Sequence, residues 1–282
     1  MNQLHILSYN IWFEETMEEE RVVALINIIN KYKPDIICLQ EVKQNIFNIL
    51  ISKLDEYSYN YYPKRIVASY GCVIFSKYNI AKCLTIPFQN SMMGRSLIIS
   101  KIDFPYFDEK DTSVNKIEIV IVTTHFESIF SRKRENTVKL EQFKTAHQIL
   151  NKLYKDYENV IFCVDTNIIT GEEDRFIPTS SKHYELNKQN EVDDSNLEEQ
   201  ILCLDVWYDA WSDMGDATNR YTYDSYTNMH LKKNKFKYRS RLDRVLYKCN
   251  NCILTQFDTI KNNILEPSDH YGITTKFEII SN

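Results

Sequence analysis

The chain lacks any apolar run approaching the roughly 18 residues that span a bilayer, so no membrane-spanning helix is expected. Its N-terminus shows no basic stretch followed by an apolar one. No secretory signal is therefore expected, and the chain reads as intracellular, cytoplasmic or nuclear. Positive charge is not in excess. A formal net charge of −5 argues against a general polyanion-binding surface while leaving room for a local basic groove. Glycine is scarce, with 5 in 282 residues beside plentiful Asn, Ile, Lys and Tyr, a bias that reflects AT-rich coding DNA rather than function. The 7 cysteines (38, 72, 83, 163, 203, 249, 252) are scattered, mostly inside apolar strand-like runs. They read as buried, reduced thiols and not as a disulfide framework. Cys249 and Cys252 form a C-x-x-C, but no second Cys or His pair at zinc-site spacing accompanies it. Internal repeats and composition breaks are missing too, so one domain over residues 1–282 is expected.

What is present is a packed core. Hydrophobic residues make up 43% and charged residues 26%, the balance of a soluble globular domain. Leu4–Tyr9 reads as a short strand. Thr16-x-x-Glu19 has the form of a capping box, followed by Val22, Leu25, Ile26 and Ile29 at helical spacing until Pro34. Ile36–Leu39 is an apolar run of the kind found in strands buried on both faces. A helix over 44–54 follows. Strands are then expected at Gly71–Ser76, Cys83–Phe88, Ser96–Ile102 and Lys116–Thr124, before a long surface helix over Arg132–Tyr154 and a buried strand at Val160–Val164. Residues 171–200 are polar and aperiodic, a surface excursion. A short helix at Asp205–Trp211 and two strands, Arg241–Tyr247 and Gly272–Ile280, complete an α/β pattern.

Polar residues at the ends of these runs carry the chemistry. Asn10, Glu41, Asp165, Asn167 and His270 each follow an expected strand or sit in the turn before one. Strand ends along one rim bring distant residues into one site. Glu41 suits Mg²⁺, a hard ion held by one or two carboxylates and several waters. Asp165 suits a general base toward water, with Asn167 two residues on along the same face. Asn10, Asn167, His125 and His270 can donate to phosphate oxygens as charge accumulates. Asp243, in Arg241-Leu242-Asp243-Arg244, would fix the tautomer of an imidazole. Each residue alone has a bland explanation: a turn, a solvated strand end, an Asx-turn or a surface pair. Their occurrence together, in this order, favours the metal-assisted phosphodiesterase reading.

The strings Leu39-Gln40-Glu41-Val42, Thr124-His125-Phe126-Glu127-Ser128, Asp165-Thr166-Asn167, Arg241-Leu242-Asp243-Arg244 and Ser268-Asp269-His270-Tyr271-Gly272, with Asn10 ahead of them, resemble the successive motifs of the endonuclease/exonuclease/phosphatase superfamily. The likeness spans residues 8–272. Asp165-Thr166-Asn167, the Thr-His-Phe-Glu-Ser string and Met92-Met93 followed closely by Arg95 are most similar to its tyrosyl-DNA phosphodiesterase branch. Asp205-Val206-Trp207 and Tyr221-Thr222-Tyr223-Asp224 extend the match.

The resemblance implies a four-layered α/β sandwich, two mixed sheets packed face to face and flanked by helices. It implies Glu41 as ligand of Mg²⁺ (or Mn²⁺), Asp165 as base, and Asn10, Asn167 and His270 around the phosphate with Asp243 behind. His125, Ser128, Arg95, Tyr223 and Arg241 become substrate contacts. The implied partner is a single-stranded DNA 5′ end bearing a tyrosine-linked peptide, and the implied reaction is hydrolysis of the 5′-phosphotyrosyl bond to a 5′-phosphate. An N-terminal ubiquitin-binding module of the kind animal members carry is not expected. Three departures touch substrate grip: Tyr223 where a tryptophan is usual, Gly94 between Met93 and Arg95, and Ile168-Ile169-Thr170-Gly171 where the branch is more basic. A basic run (Lys232, Lys233, Lys235, Lys237, Arg239, Arg241) could line a strand-binding groove or be a solvated edge. An abasic endonuclease, an RNA-directed phosphodiesterase and an inactive binding module are the alternatives. An inositol- or lipid-phosphatase is disfavoured for want of an amphipathic membrane helix.

Overall fold

The structure, a computed structural model, describes residues 2–63, 69–108, 112–128, 133–168, 175–176, 207–234, 237–262 and 264–280. In chain order the elements are β1 (Gln3–Asn10), α1 (Glu18–Tyr32), β2 (Ile36–Val42), α2 (Gln44–Lys53), β3 (Tyr59–Tyr61), β4 (Gly71–Ser76), β5 (Ile80–Pro87), β6 (Ser96–Asp108) and β7 (Ser113–His125). After them come α3 (Lys133–Asp156), β8 (Asn159–Asp165), β9 (Arg175–Phe176), β10 (Tyr208–Asp209), α4 (Ala210–Met214), β11 (Tyr223–Asp224), β12 (Lys237–Ser240), β13 (Asp243–Cys249), β14 (Cys252–Ile260) and β15 (Gly272–Ile279).

Period-two alternation decides the layering. Along β2 every residue is buried, with Ile36 and Cys38 pointing one way and Ile37 and Leu39 the other. The first set meets Ile98, Ile121, Ile161 and Cys163 of a second sheet. The other set meets Val22, Leu25, Ile29, Phe47 and Leu50 of α1 and α2. On the far side Val120, Val122 and Phe162 pack against Phe143, Ala146 and Leu150 of α3. One sheet has the order β14-β15-β1-β2-β4-β3, the other β10-β13-β8-β7-β6-β5, and a small third sheet is ordered β11-β12-β9. The pairs β1–β2 and β7–β8 are parallel and their neighbours antiparallel, so both large sheets are mixed. The expected four layers are present.

Several details differ from the sequence reading. No capping box forms: α1 starts at Glu18, its cap Met17 lies in the left-handed region at φ 52, and no side chain caps it. Glu18 instead pairs with Lys43 and Asn45, and three consecutive glutamates favour the positive end of the helix dipole. Of the expected 205–211 helix, residues 205–206 lie outside the described residues. Tyr208–Asp209 is strand, and α4 follows, capped by Asp209 Oδ1 accepting from Trp211 N–H at 3.0 Å. The last third holds β11, β12 and β14 besides the two expected strands. The long surface helix has one fully buried face, which includes Lys139 and Gln142. Among the described residues Cys38, Cys72, Cys163 and Cys252 are buried and none is disulfide-bonded, while Cys249 and Cys252 flank the β13–β14 turn. The 171–200 excursion lies outside the described residues apart from β9, as do Arg132, Cys203 and Lys235.

Candidate active site

Strand register puts three of the expected residues side by side. His125 is opposite Asp165 in the parallel β7–β8 pair, and Asp243 is opposite Asp165 in the antiparallel β8–β13 pair. Residues in register on neighbouring strands share a face about 4.8 Å apart. Hence His125, Asp165 and Asp243 form a row at one rim of the second sheet, all buried. From the first sheet, Asn10 at the end of β1 reaches across, its Nδ2 donating to Asp165 Oδ2 at 2.7 Å. The turn after β8 closes on the same carboxylate, with Asn167 N–H donating to Asp165 Oδ1 at 2.9 Å. Asn167 sits at φ 50, a region Asn tolerates. Its side-chain amide donates to the Phe126 carbonyl at 3.0 Å, so it braces the turn.

Behind the row His270 Nδ1 and Asp243 Oδ2 are 2.7 Å apart, the imidazole–carboxylate pair expected from sequence. Asp165, Asp243 and His270 each offer a ligand atom within 4.8 Å of the others. The short His270–Asp243 bond accounts for that closeness as a hydrogen-bonded dyad. Burial opposes charge on His270, but Asp243, Asp165 and Asp269 outweigh it and hold the imidazolium well above the ordinary histidine range. His125 goes the other way. Burial, reinforced by Arg95, keeps its ring neutral. Its Nε2 lies 3.3 Å from Asp165 Oδ2 and 3.7 Å from Glu41 Oε1, and neither ring nitrogen has a hydrogen-bond partner. Asp243 Oδ1 is likewise buried without one. Unpaired buried polar atoms around one carboxylate mark where a ligand completes the network.

Glu41 arrives by irregularity. The β2–β4 register shifts between Leu39 and Val42, and Glu41 adopts φ 61, costly for a residue with a Cβ. The kink turns its carboxylate to the rim, where Oε2 accepts from Phe13 N–H at 3.0 Å. Burial, with Asp269 and Asp165 nearby, pushes its pKa up to about 7. A carboxylate in excess negative potential, with Oε1 beyond hydrogen-bond reach of His125, is a hard donor suited to a divalent cation.

Beside His125 lies a cation. Arg95 is 5% exposed, with Nη2 3.4 Å from both Ser128 Oγ and Tyr70 OH and its guanidinium 5.2 Å from the centre of the Tyr70 ring. Its Nε has no partner. Tyr223 meets His270 edge-on at 5.3 Å and stacks on Tyr238 at 5.0 Å. Arg241, expected at the substrate, is engaged elsewhere: it ion-pairs with Asp209 and lies 4.6 Å over Trp211. Within the basic run Lys237 binds the carbonyls of Ser225 and Lys232, which ties down the preceding turn, whereas Arg239 is exposed against Tyr221 and Tyr226. So Asn10, Glu41, His125, Asp165, Asn167, Asp243 and His270 converge, Arg95, Ser128 and Tyr223 flank them, and Arg241 does not join. Sequence reading missed Asp269 as a source of negative potential. It also missed Arg21, buried beneath Trp12 at 4.5 Å with Nη2 donating to the carbonyls of Trp12 and Glu14. The Asp-His and Glu-Arg strings held that signal.

The model of the Endonuclease/Exonuclease/phosphatase family matches residues 7–270, and the chain belongs to that family of phosphate-ester hydrolases. Among individual relatives, the 5′-tyrosyl-DNA phosphodiesterase of Caenorhabditis briggsae is 25% identical over 99% of this chain and 70% of its own length. Tyrosyl-DNA phosphodiesterase 2 of Xenopus laevis is 25% identical over 97% of this chain and 66% of its own length. The chain thus spans about two thirds of these curated relatives. The D. rerio TDP2 crystal structure with single-strand DNA product superposes with a TM-score of 0.78 at 20% identity, covering 99% of this chain and 100% of that one. A truncated Caenorhabditis elegans TDP2 superposes at 0.72 and 23%, covering 98% and 97%. These structures share the fold.

Proposed function

We propose that this chain is a Mg²⁺-dependent phosphodiesterase that hydrolyses the 5′-phosphotyrosyl bond between a protein remnant and a single-stranded DNA end, leaving a 5′-phosphate. The observation that carries the reading is Asp165, buried, gripped by Asn10 and the Asn167 N–H, and flanked by neutral His125 and the His270–Asp243 dyad. Glu41 would hold the cation, which when bound offsets charge on the phosphoryl oxygens. A carboxylate has about four acceptor sites, so with two donors in place Asp165 retains capacity to take a proton from water. The water oxygen bonds to phosphorus, its proton passes to Asp165, and the bond to the tyrosyl oxygen breaks. A phenolate of pKa about 10 leaves without a strong general acid. His270, held cationic by Asp243, stabilises the negative charge that develops on phosphate, and Arg95 adds a second positive contact. Tyr223 gives a ring face for the strand end.

The relatives named for tyrosyl-DNA phosphodiesterase activity support the substrate class. The test offers purified protein a 5′-phosphotyrosyl oligonucleotide with Mg²⁺ and follows release of the 5′-phosphate end. Cleavage of an abasic duplex with the phosphotyrosyl end untouched would overturn the reading.

A further inference from the structure

Glu127 lies two residues beyond His125, is 0% exposed, and among the described residues pairs with no basic side chain. A buried carboxylate without a counter-cation must be met by hydrogen bonds. It accepts four. Oε1 takes the N–H groups of Met92 and Met93, each at 2.8 Å, and Oε2 takes Ser91 Oγ and Gln142 Nε2, each at 2.9 Å. Gln142 Oε1 returns a bond from the Glu127 N–H at 2.9 Å, so α3 clamps both ends of the residue.

Three of the four donors, Ser91, Met92 and Met93, belong to one loop, and the fourth, Gln142, belongs to α3. Ser91 Oγ, while bound to Glu127, accepts the Arg95 N–H at 2.8 Å, and Phe88 N–H donates to the Arg95 carbonyl at 3.0 Å. Gly94 makes the intervening turn at φ 70, a conformation glycine adopts without a Cβ penalty. The loop is therefore wound on the Glu127 carboxylate, and its last residue is the arginine whose buried Nε has no partner and whose charge acts on His125, itself without a hydrogen-bond partner. An arginine reaches a phosphate from a fixed direction only if its backbone is fixed, because its side chain is long and rotamer-rich.

We propose that Glu127 is a positioning residue which, by folding the Ser91–Arg95 loop, sets the Arg95 guanidinium for the phosphate. The inference rests on the phosphodiesterase reading for its consequence in turnover, but not for the coupling itself. Glu127→Gln swaps one acceptor oxygen for a donor amide facing donors, and the loop loses its centre. Arg95→Ala removes the group being positioned.

Inorganic phosphate binding is measured by calorimetry in wild type, Glu127→Gln, Arg95→Ala and the double variant. Each single change should weaken binding roughly tenfold, and the double variant should bind no more weakly than Arg95→Ala, since residues acting through one contact are non-additive. With the phosphotyrosyl oligonucleotide, KM and kcat should show the same non-additivity. Effects that multiply in the double variant, or Glu127→Gln binding phosphate like wild type, would overturn the proposal. Should Glu127→Gln not fold, Ser91→Ala in the same cycle decides, expected about threefold weaker alone and silent beside Arg95→Ala. If phosphate coupling holds while no phosphotyrosyl substrate is cleaved, the substrate reading fails and the positioning role stands.

Discussion

The two large sheets deliver their functional groups by opposite means. The second sheet uses regular register: His125, Asp165 and Asp243 lie abreast on β7, β8 and β13 without a break in pairing. The first sheet uses irregularity: Glu41 sits in a register shift with φ 61, and Trp12, two residues past Asn10, has φ 60. Regular pairing holds the His125, Asp165 and Asp243 side chains at fixed mutual distances at no conformational cost. A kinked strand costs stability and aims one carboxylate out of the ladder. On the proposed reading, the contrast divides labour between groups that keep station with each other and a carboxylate turned toward a cation.

The largest effect should come from the regular side. Asp165→Asn should lower kcat by about 10³-fold or more with an unchanged circular dichroism spectrum, because a general base of this kind contributes 10²–10⁴. An unfolded variant would mean that the row is structural. His270→Ala should fall in the same range. Glu41→Gln should cost roughly 10²-fold at saturating Mg²⁺ and more at limiting Mg²⁺, with a right-shifted Mg²⁺ titration. A loss indifferent to Mg²⁺ would erase the distinction between the sheets. Glu41→Gly sharpens it further. Activity should vanish while thermal stability rises by roughly 1 kcal/mol, since glycine accepts positive φ and the buried carboxyl is gone. A lower Tm would show the kink to be unstrained.

Tyr223→Ala, outside both arrangements, should raise KM about tenfold with little change in kcat, the pattern of uniform binding lost. Smallest is a control in a buried carboxyl away from the site. Burial lifts Glu266 to about 7, against the opposing Asn262 N–H and Lys261. Between about 4.5 and 7 the folded chain holds a proton that the unfolded chain has released, so stability falls as pH rises through that window. Glu266→Gln should flatten this slope and raise Tm at pH 8 by a few degrees, leaving pH 4 unchanged. A Tm profile identical to wild type would contradict it.

The sandwich was legible because β1, β2, β4, β7 and β8 are apolar runs buried on two faces. The candidate site was legible because polar residues follow several such runs in one chain order, whereas any one of them alone would pass for a turn or a strand end. What escaped was of two kinds. β14 is an edge strand in which buried and exposed residues alternate until Thr255 and Gln256, both exposed, where the register shifts, so its alternation breaks. β11 and β12 are short and polar, and tertiary pairing makes them, not propensity. The buried polar residues Lys139 and Gln142 read as surface in a charged helix, and Glu127 has no role of its own within its motif in the sequence reading. Only the sheet beneath them reveals that they are enclosed: Lys139 Nζ donates to the Asn167 carbonyl at 3.0 Å. The capping box failed because the chain enters α1 through a left-handed residue that carries Thr16 away from the cap position.

The Asn10–Asp165 bond has a mechanical meaning. It joins the rims of both layers, so the carboxylate senses how far apart those layers stand, like a feeler gauge set in a gap. Enlarging a residue deep in the interlayer, such as Cys38→Leu, should lengthen that bond and depress turnover, alongside an overpacking cost of about 1–3 kcal/mol. Catalytic rate then becomes a ruler for the interior, read from a point the altered side chain never touches.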